Sequence, residues 1–385
     1  AGATSRAAWT LRAPEVDRKT PWREQGLHWR DALDVATADR VRGASASIAL
    51  SGGIDSTAIA ASAARLGVDR LYAATDVLGT VLHGRDDEGD WASMAARHLG
   101  IRHQIFTIGA PPDDEPFAWQ PVMSSMPACA PYNVEDTGSW RAMASHAPIM
   151  LHGEGGDEIW RASEMTRLLG VEPWVALARG VVETFMVGHR PPLGLNVRGR
   201  LRGTRKRVRP PRWLSDEIAR RFDLEALIDA GLARIAPVVR VPRSGSMKGL
   251  GTALWQGCVV DYDAAGASLG VELRLPLLDY RVVEAALRLP PLPGVVDKLA
   301  AREALRGRLP RALLARNKAP AAATDDCREM RPPWARLPAA PGLTYYIDVA
   351  RLKEDAVASG ATWEVLRALC LWRWLAGGAR RPDER

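Results

Sequence analysis

Two short apolar segments of this chain each run into a glycine-rich turn. Residues 47–50 (SIAL) precede the turn SGGIDS at residues 51–56, and residues 149–151 (IML) precede HGEGGDE at residues 152–158. The segment that follows the first turn, AIAASAARLG, has high helix propensity and ends at a glycine. We therefore predict a strand, a tight turn and a helix at the first site, and a second strand-to-turn junction farther along.

Strand-like and helix-like segments alternate between the two turns. Residues 71–75 (LYAAT) predict a strand, residues 91–100 (WASMAARHLG) a helix, and residues 102–107 (RHQIFT) another strand. This alternation predicts an α/β fold with a parallel sheet and helices on both of its faces. Open parallel sheets bind ligands outside the carboxyl ends of their strands, where both glycine-rich turns are expected.

The chain of 385 residues is long enough for more than one hydrophobic core. After about Trp160 the sequence changes to long helix-like segments with few β-branched runs. We predict an N-terminal extension with a lead-in helix at residues 1–42, an α/β core at residues 43–160, and a mostly helical lobe at residues 161–385.

The SGGIDS turn has the features of a phosphate site. Backbone N–H groups and the positive end of the following helix would converge on one concavity, and the glycines would let an anion approach closely. Ser51 and Ser56 offer hydroxyl groups, whereas Asp55 would repel a phosphate and so suggests an intervening Mg²⁺. The alternative is a plain serine-glycine turn in which Asp55 caps the helix.

The second turn places three carboxylates beside three glycines at residues 152–158. Such a turn would repel itself without a cation. If Asp157 folds against Asp55, the two carboxylates could share a Mg²⁺ that bridges the phosphates of ATP. Glu154 could then act as a base or orient an incoming amine. The alternative is an acidic surface turn.

A third motif, VELRLPLLDYRVVE at residues 271–284, predicts a loop followed by an amphipathic helix that begins near Asp279. In order and approximate spacing, the three motifs resemble the C-terminal domain of asparagine synthetase and its relatives, β-lactam synthetase and the lasso-peptide cyclases. The resemblance extends from Leu27 to about Lys318. It implies a PP-loop (HUP-type) ATP-binding α/β domain, and an enzyme that converts a carboxylate to an acyl-adenylate with release of pyrophosphate.

The resemblance also implies roles for single residues. Asp55 and Asp157 would be the metal ligands, Glu154 would handle the amine nucleophile, and Val77, just after the second strand, would contact the adenine side. The remaining nucleotide-binding residues would surround the pyrophosphate or line the nucleotide: Leu50, Ser51, Gly52, Gly53, Ser56, His152 and Gly153.

Two lysines are candidates for the catalytic cation of this family. Lys318, in the segment ARNK, resembles the family's Arg-x-Lys lysine and would neutralise charge that develops on the α-phosphate and the acyl oxygen. The Ala-Pro that follows Lys318 departs from the family pattern. Lys298, in DKLAAREAL, is the substitute candidate, and its alternative is a solvated helix lysine.

Charge and composition limit the remaining possibilities. The net charge of +7 favours an anionic partner such as a nucleotide, a nucleic acid or an acidic peptide. The four cysteines lack the spacing of a zinc site.

Neither a membrane span nor a secretion signal is evident, so we expect a cytoplasmic protein. No cysteine precedes Cys129, so we expect no glutaminase domain and an amine supplied by the substrate or another protein.

We expect a peptide-carboxylate ligase, in character closest to the lasso-peptide macrolactam cyclases, with a leader-peptide-binding or protease partner protein conceivable. The alternatives within the same chemistry are an asparagine synthetase that uses ammonia and a small-molecule, β-lactam-type cyclase. The arginine-rich segment at residues 198–212 raises the alternatives of a nucleic-acid binder and a tRNA-modifying enzyme. The acidic turn at residues 152–158 argues against the nucleic-acid binder. An ATP sensor without chemistry is the last alternative.

Replacement of Lys318 separates a ligase from a sensor. We expect Lys318→Ala to abolish turnover while nucleotide binding is largely retained, because the ammonium acts on charge that develops during the reaction. Steady-state kinetics and calorimetric titration with ATP measure the two effects. A variant that functions like the parent protein would favour the sensor.

Overall fold

The computed structural model confirms the α/β fold. Its helices surround a parallel sheet, as the alternating pattern predicts. In the part that it describes, no helix is long and apolar enough to cross a membrane. The structure describes residues 12–67, 71–78, 87–108, 138–192, 209–235, 240–251, 259–260, 262–263, 266–267, 269–316, 337, 339–340, 342–359 and 363–376.

Five strands of the described residues form one sheet in which every pairing is parallel, in the order β3-β2-β1-β4-β5. The first strand of the chain thus lies between β2 and β4. The order reverses at the β1–β4 boundary, which is where an open parallel sheet forms its ligand crevice. The strands are β1 (Ala46–Ala49), β2 (Leu71–Leu78), β3 (Arg102–Ile108), β4 (Ile149–Leu151) and β5 (Glu272–Arg274).

Helices connect the strands and make up most of the later chain. Short 3-10 helices at Pro276–Leu278 and Val296–Lys298 precede two of them. The helices are α1 (Trp22–Val41), α2 (Ile54–Arg65), α3 (Glu88–Leu99), α4 (Gly138–His146), α5 (Gly156–Ile159), α6 (Met165–Leu168), α7 (Trp174–Met186), α8 (Asp216–Arg221), α9 (Leu224–Ile235), α10 (Ser244–Leu250), α11 (Tyr280–Arg288), α12 (Leu299–Ala304), α13 (Arg311–Leu314), α14 (Leu343–Tyr346), α15 (Val349–Ser359) and α16 (Trp363–Ala376).

The main hydrophobic core joins all three predicted segments of the chain. The amphipathic helix α1 buries Trp29 and Leu33 against α11 and α12, while Ile48 of β1 and Leu287 of α11 belong to the same cluster. A separate cluster forms around Trp213 and the helices α14, α15 and α16. The helices α10 to α13 therefore pack with the sheet, and the last three helices build a second core with Trp213.

Two strands differ from the sequence prediction by more than one residue. The segment Glu272–Arg274, predicted as a loop, is β5, whose residues pair with 149–151 of β4. A run of three residues carries only a weak strand signal, and this edge strand forms because its backbone pairs with β4. The strand β2 continues to Leu78, so Val77 lies within the strand instead of after it, paired with Thr107. The helix predicted to begin near Asp279 is α11, and the Asp279 carboxylate accepts a hydrogen bond from its Arg281 N–H.

Close contact between α1 and α12 requires a glycine. A Cβ atom at Gly26 would lie 2.6 Å from the Ala300 carbonyl oxygen. We expect Gly26→Ala to destabilise the protein by about 1–3 kcal/mol, because the backbone of α12 must move. Urea denaturation measures the change. Gly231→Ala in α9 is the matched control, because open space surrounds Gly231 and alanine favours a helix by up to about 1 kcal/mol. Equal effects of the two substitutions would contradict the packing argument.

Candidate active site

The two glycine-rich turns meet at the carboxyl ends of β1 and β4. A Cβ atom at Gly153 would lie 3.0 Å from the Ser56 backbone nitrogen, and one at Gly156 would overlap the Asp55 carboxyl group. Both contacts exist because β1 and β4 are neighbours in the sheet. The structure thus brings the acidic turn directly against the first turn of α2.

The SGGIDS turn presents the amino end of α2. Gly53 occupies the cap position, and no side chain caps the helix there. Asp55 is therefore not the helix cap, and its carboxylate is available for other contacts. The first N–H groups of an α-helix have no acceptor within the helix, so this end can bind an anion.

Two serines fix the shape of this turn. The Ser51 backbone N–H donates to Ser56 Oγ at 3.1 Å, the two hydroxyl oxygens also lie 3.1 Å apart, and Gly53 N–H donates to Ser51 Oγ at 3.3 Å. Ser56 is buried, and Leu50 is buried with its N–H bonded to the Ala74 carbonyl oxygen at 2.9 Å. Leu50 and Ser56 therefore support the turn from behind.

A solvent-open cavity of about 1090 Å³ lies in front of the turn. Ser51, Gly52, Gly53 and the Asp55 carboxylate line it on one side. Acidic and basic side chains line the rest, and the acidic ones are Glu88, Asp157, Asp297 and Glu303. The basic residues of the lining are Arg23, Lys298, Arg302, Arg306 and Arg316.

Lys298 lies between the two predicted metal ligands. Its Nζ donates a hydrogen bond to Asp157 Oδ1 at 2.7 Å and another to Asp55 Oδ2. The Lys298 side chain is only 13% exposed. Burial lowers the pKa of its ammonium group, but the charges and hydrogen bonds of Asp55 and Asp157 outweigh burial and raise the pKa overall. Lys298 is therefore not the solvated helix lysine of the alternative interpretation.

An unusual backbone turn holds Lys298 in this place. Asp297 and Lys298 both have left-handed backbone conformations, with φ of 49° and 59°, which are unfavourable for residues other than glycine. His189 Nδ1 lies 2.9 Å from Asp297 Oδ2, and Arg302 Nε donates to the Asp297 carbonyl oxygen at 2.7 Å. Neither His189 nor Arg302 was predicted, because their positions carry no distinctive sequence pattern.

Arg316 forms the wall of the cavity beside the SGGIDS turn. Its guanidinium donates to Asp87 Oδ1 at 2.8 Å and to the Ser51 carbonyl oxygen at 3.3 Å, and it lies 5.5 Å from the centre of the Trp91 ring. Arg316 is the arginine of the predicted Arg-x-Lys segment. Lys318, the predicted catalytic lysine of that segment, lies outside the described residues.

Glu154 and His152 belong to the acidic turn but do not line the cavity. Burial, followed by repulsion from Glu158 and Asp157, raises the pKa of Glu154 to about 7, although a hydrogen bond with the Tyr262 hydroxyl opposes this rise. Burial lowers the pKa of His152 to about 4, so its ring is neutral at pH 7. His152 Nδ1 lies 3.8 Å from Glu154 Oε2, and among the described residues it has no hydrogen-bond partner.

The family model for asparagine synthase matches residues 28–353, most of the chain and all three motifs. The chain belongs to the asparagine synthase family. This family consists of ATP-dependent ligases that form carbon–nitrogen bonds. No curated protein sequence matches the chain.

The carboxylates that face each other in this asparagine synthase family member fit a magnesium ion bound together with ATP. Mg²⁺ usually takes one or two protein carboxylates and completes its shell with phosphate oxygens and water. Asp55 and Asp157 supply such a pair beside the anion-binding end of α2. Within the described residues no group of three or more acidic, histidine or cysteine side chains could enclose a metal. The donor set thus suits a metal that arrives with a nucleotide.

Val77 is the residue that was predicted to contact the adenine. It occupies the carboxyl end of β2 with a partly exposed side chain, and a Cβ atom at Gly89 of α3 would lie 3.1 Å from Val77 Cγ1. Val77 does not line the 1090 Å³ cavity. A contact between Val77 and adenine stays a prediction.

The raised pKa of Glu154 makes stability depend on pH. Between about pH 4.5 and 7 the folded protein binds a proton that the unfolded chain releases, so stability falls as pH rises through this range. We expect Glu154→Gln to be more stable than the parent protein by ~3 kcal/mol at pH 8, with little difference near pH 4.5. Thermal and urea unfolding across this range measure the difference.

The exposed Glu24 of α1 offers a matched control. Glu24→Gln should change stability by less than about 0.5 kcal/mol at either pH. A stability difference for Glu154→Gln that is constant from pH 4.5 to pH 8 would contradict the assigned pKa.

Proposed function

We propose that this asparagine synthase family member activates a substrate carboxylate with ATP and then joins the acyl group to an amine. In the first step a carboxylate oxygen attacks the α-phosphorus of ATP, the bond to the bridging oxygen breaks, and pyrophosphate leaves. In the second step the amine attacks the acyl carbon, AMP leaves with the electrons of the broken C–O bond, and the amine loses a proton. The observation that carries this proposal is the placement of Asp55, Lys298 and Asp157 beside the amino end of α2.

The cavity offers the phosphates of ATP several positive groups. The amino end of α2 and the backbone of residues 51–53 would bind the pyrophosphate part, and the Arg302 and Lys298 side chains would neutralise its charge. Mg²⁺, when bound by Asp55 and Asp157, would supply further charge neutralisation of the phosphates. Ser51 and Ser56 would keep the turn in the shape that this binding needs.

Lys318 remains our candidate for the cation at the reacting centre. It follows the cavity wall residue Arg316 by two positions, so the chain need not extend far to place its ammonium near the α-phosphate. Lys298 would act on the pyrophosphate side. The two lysines would then divide between them the charge that develops on either side of the broken bond.

Glu154 is suited to accept the proton of the amine. A general base works best when its pKa lies near the operating pH, and the pKa of Glu154 is about 7. His152 and Tyr262 would help to orient the Glu154 carboxylate, since the Tyr262 hydroxyl donates a hydrogen bond to it. Because Gly153 has no side chain, this turn can pack closely against Ser56.

The acyl substrate that we favour is a peptide that is closed to a macrolactam, as in the lasso-peptide cyclases. The helix α7 exposes Trp174 (79%), Val175, Phe185 and Met186 (81%), and Met186 also lines the cavity. An apolar surface that continues into the site suits a peptide better than free aspartate. A partner protein that binds a leader peptide or cleaves it, and a cytoplasmic location, stay predictions.

Pyrophosphate exchange tests the adenylation step. Labelled pyrophosphate should enter ATP only when a carboxylate substrate is present, because exchange requires reversible adenylation. A panel of precursor peptides, free aspartate and small amino acids would identify the substrate. Formation of ADP in place of AMP would refute adenylation, and product from aspartate with ammonium salts would select the ammonia-dependent alternative.

Glu154→Gln separates the two steps of the reaction. We expect the variant to retain pyrophosphate exchange within a few-fold, while amide formation falls by about 10²–10⁴-fold, because only the second step needs the base. Mass spectrometry of the product and the exchange rate give the two values. Glu24→Gln should behave as the parent protein in both assays. Equal loss of exchange and of amide formation would show that Glu154 does not act as the base.

A further inference from the structure

The ammonium group of Lys298 occupies the position between two carboxylates that come from different turns. Asp55 belongs to the first turn of α2, Asp157 belongs to α5, and Lys298 Nζ donates a hydrogen bond to each. Asp55 also lies within the electrostatic influence of Arg302. Without positive charge here, the two carboxylates would repel each other at the point where their turns pack together.

Backbone conformation and side-chain contacts together hold Lys298 at this point. Two successive residues adopt the left-handed conformation, and His189 and Arg302 both contact Asp297 to hold that turn. A backbone conformation of this kind persists only where its surroundings determine it. Because Lys298 immediately precedes α12, the rigid turn directs its side chain toward the carboxylate pair instead of into solvent.

We propose that Lys298 is a resident counter-cation, which holds Asp55 and Asp157 together and excludes a divalent metal until a nucleotide arrives. This inference rests on the proposed function, in which the same two carboxylates bind Mg²⁺. A divalent ion that entered alone would be repelled by the ammonium group, because it would bring no negative charge with it. A metal that enters with ATP brings phosphate oxygens, to which Lys298 can transfer its hydrogen bonds.

The lysine side chain is suited to this exchange. Its charge is compact, and four flexible carbon atoms allow the ammonium to move while the strained backbone turn stays in place. The metal would thus replace the ammonium group beside the two carboxylates, and a positive charge would be present between them throughout. Metal and nucleotide would bind as one unit, and the protein without nucleotide would have little affinity for the metal.

Mn²⁺ binding in the absence of nucleotide tests the inference without an activity assay. Titration followed by electron paramagnetic resonance should show weak binding to the parent protein. We expect Lys298→Met to bind Mn²⁺ at least tenfold more tightly, because the competing ammonium is gone. Lys298→Arg retains the charge and should bind as weakly as the parent protein. Lys353→Met removes an exposed lysine of α15 and should change nothing.

The binding of Mn·ATP, followed by water proton relaxation, separates the inference from the proposed function. Asp157→Asn should weaken this binding. If it does not, the proposed metal site is wrong. If it does, but Lys298→Met binds free Mn²⁺ no more tightly than the parent protein, only the counter-cation is refuted. Thermal unfolding verifies that each variant is folded, and Lys298→Gln replaces Lys298→Met if that variant is not.

Discussion

The carboxylates of Asp55 and Asp157 share one ammonium group, and the arrangement of the site depends on that contact. Each carboxylate follows a strand of its own, and the two strands are neighbours only because β1 lies in the middle of the sheet. The parallel sheet therefore determines where negative charge collects. Lys298 then makes this concentration of charge compatible with a folded protein, because an unpaired buried or half-buried carboxylate is strongly destabilising.

The acidic turn carries carboxyl groups in two different surroundings. Asp157 lines the cavity, where the arginines and Lys298 offer cations for phosphates among an equal number of acidic side chains. Glu154 is buried and lies near Glu158 and Asp157, which raises the pKa of its carboxyl group to about 7, and the ring of the neighbouring His152 is neutral. One short turn thus carries both Asp157, which we propose as a metal ligand, and a carboxyl group that titrates near neutrality.

The sequence predicts the edge of the sheet at which the site forms, since glycine-rich turns after apolar strands are a local signal. It does not predict the strand β5, because three residues of an edge strand carry little periodicity and depend on pairing with β4. The role of Lys298 was predicted only as a substitute, because its left-handed turn is stabilised by His189 and Arg302 from other positions. Long-range contacts of this kind leave no mark on a local pattern. Most of the arginine-rich segment, like Lys318, lies outside the described residues.

The second hydrophobic cluster, around Trp213 and the last three helices, shares no member with the core beneath the nucleotide turns. Side-chain replacements in separate clusters affect stability independently when they share no neighbours. Variation in this part of the chain can accordingly alter surface shape while the ATP-handling machinery keeps its packing. A substitution in the cluster around Trp213 should therefore leave the packing beneath the two glycine-rich turns intact.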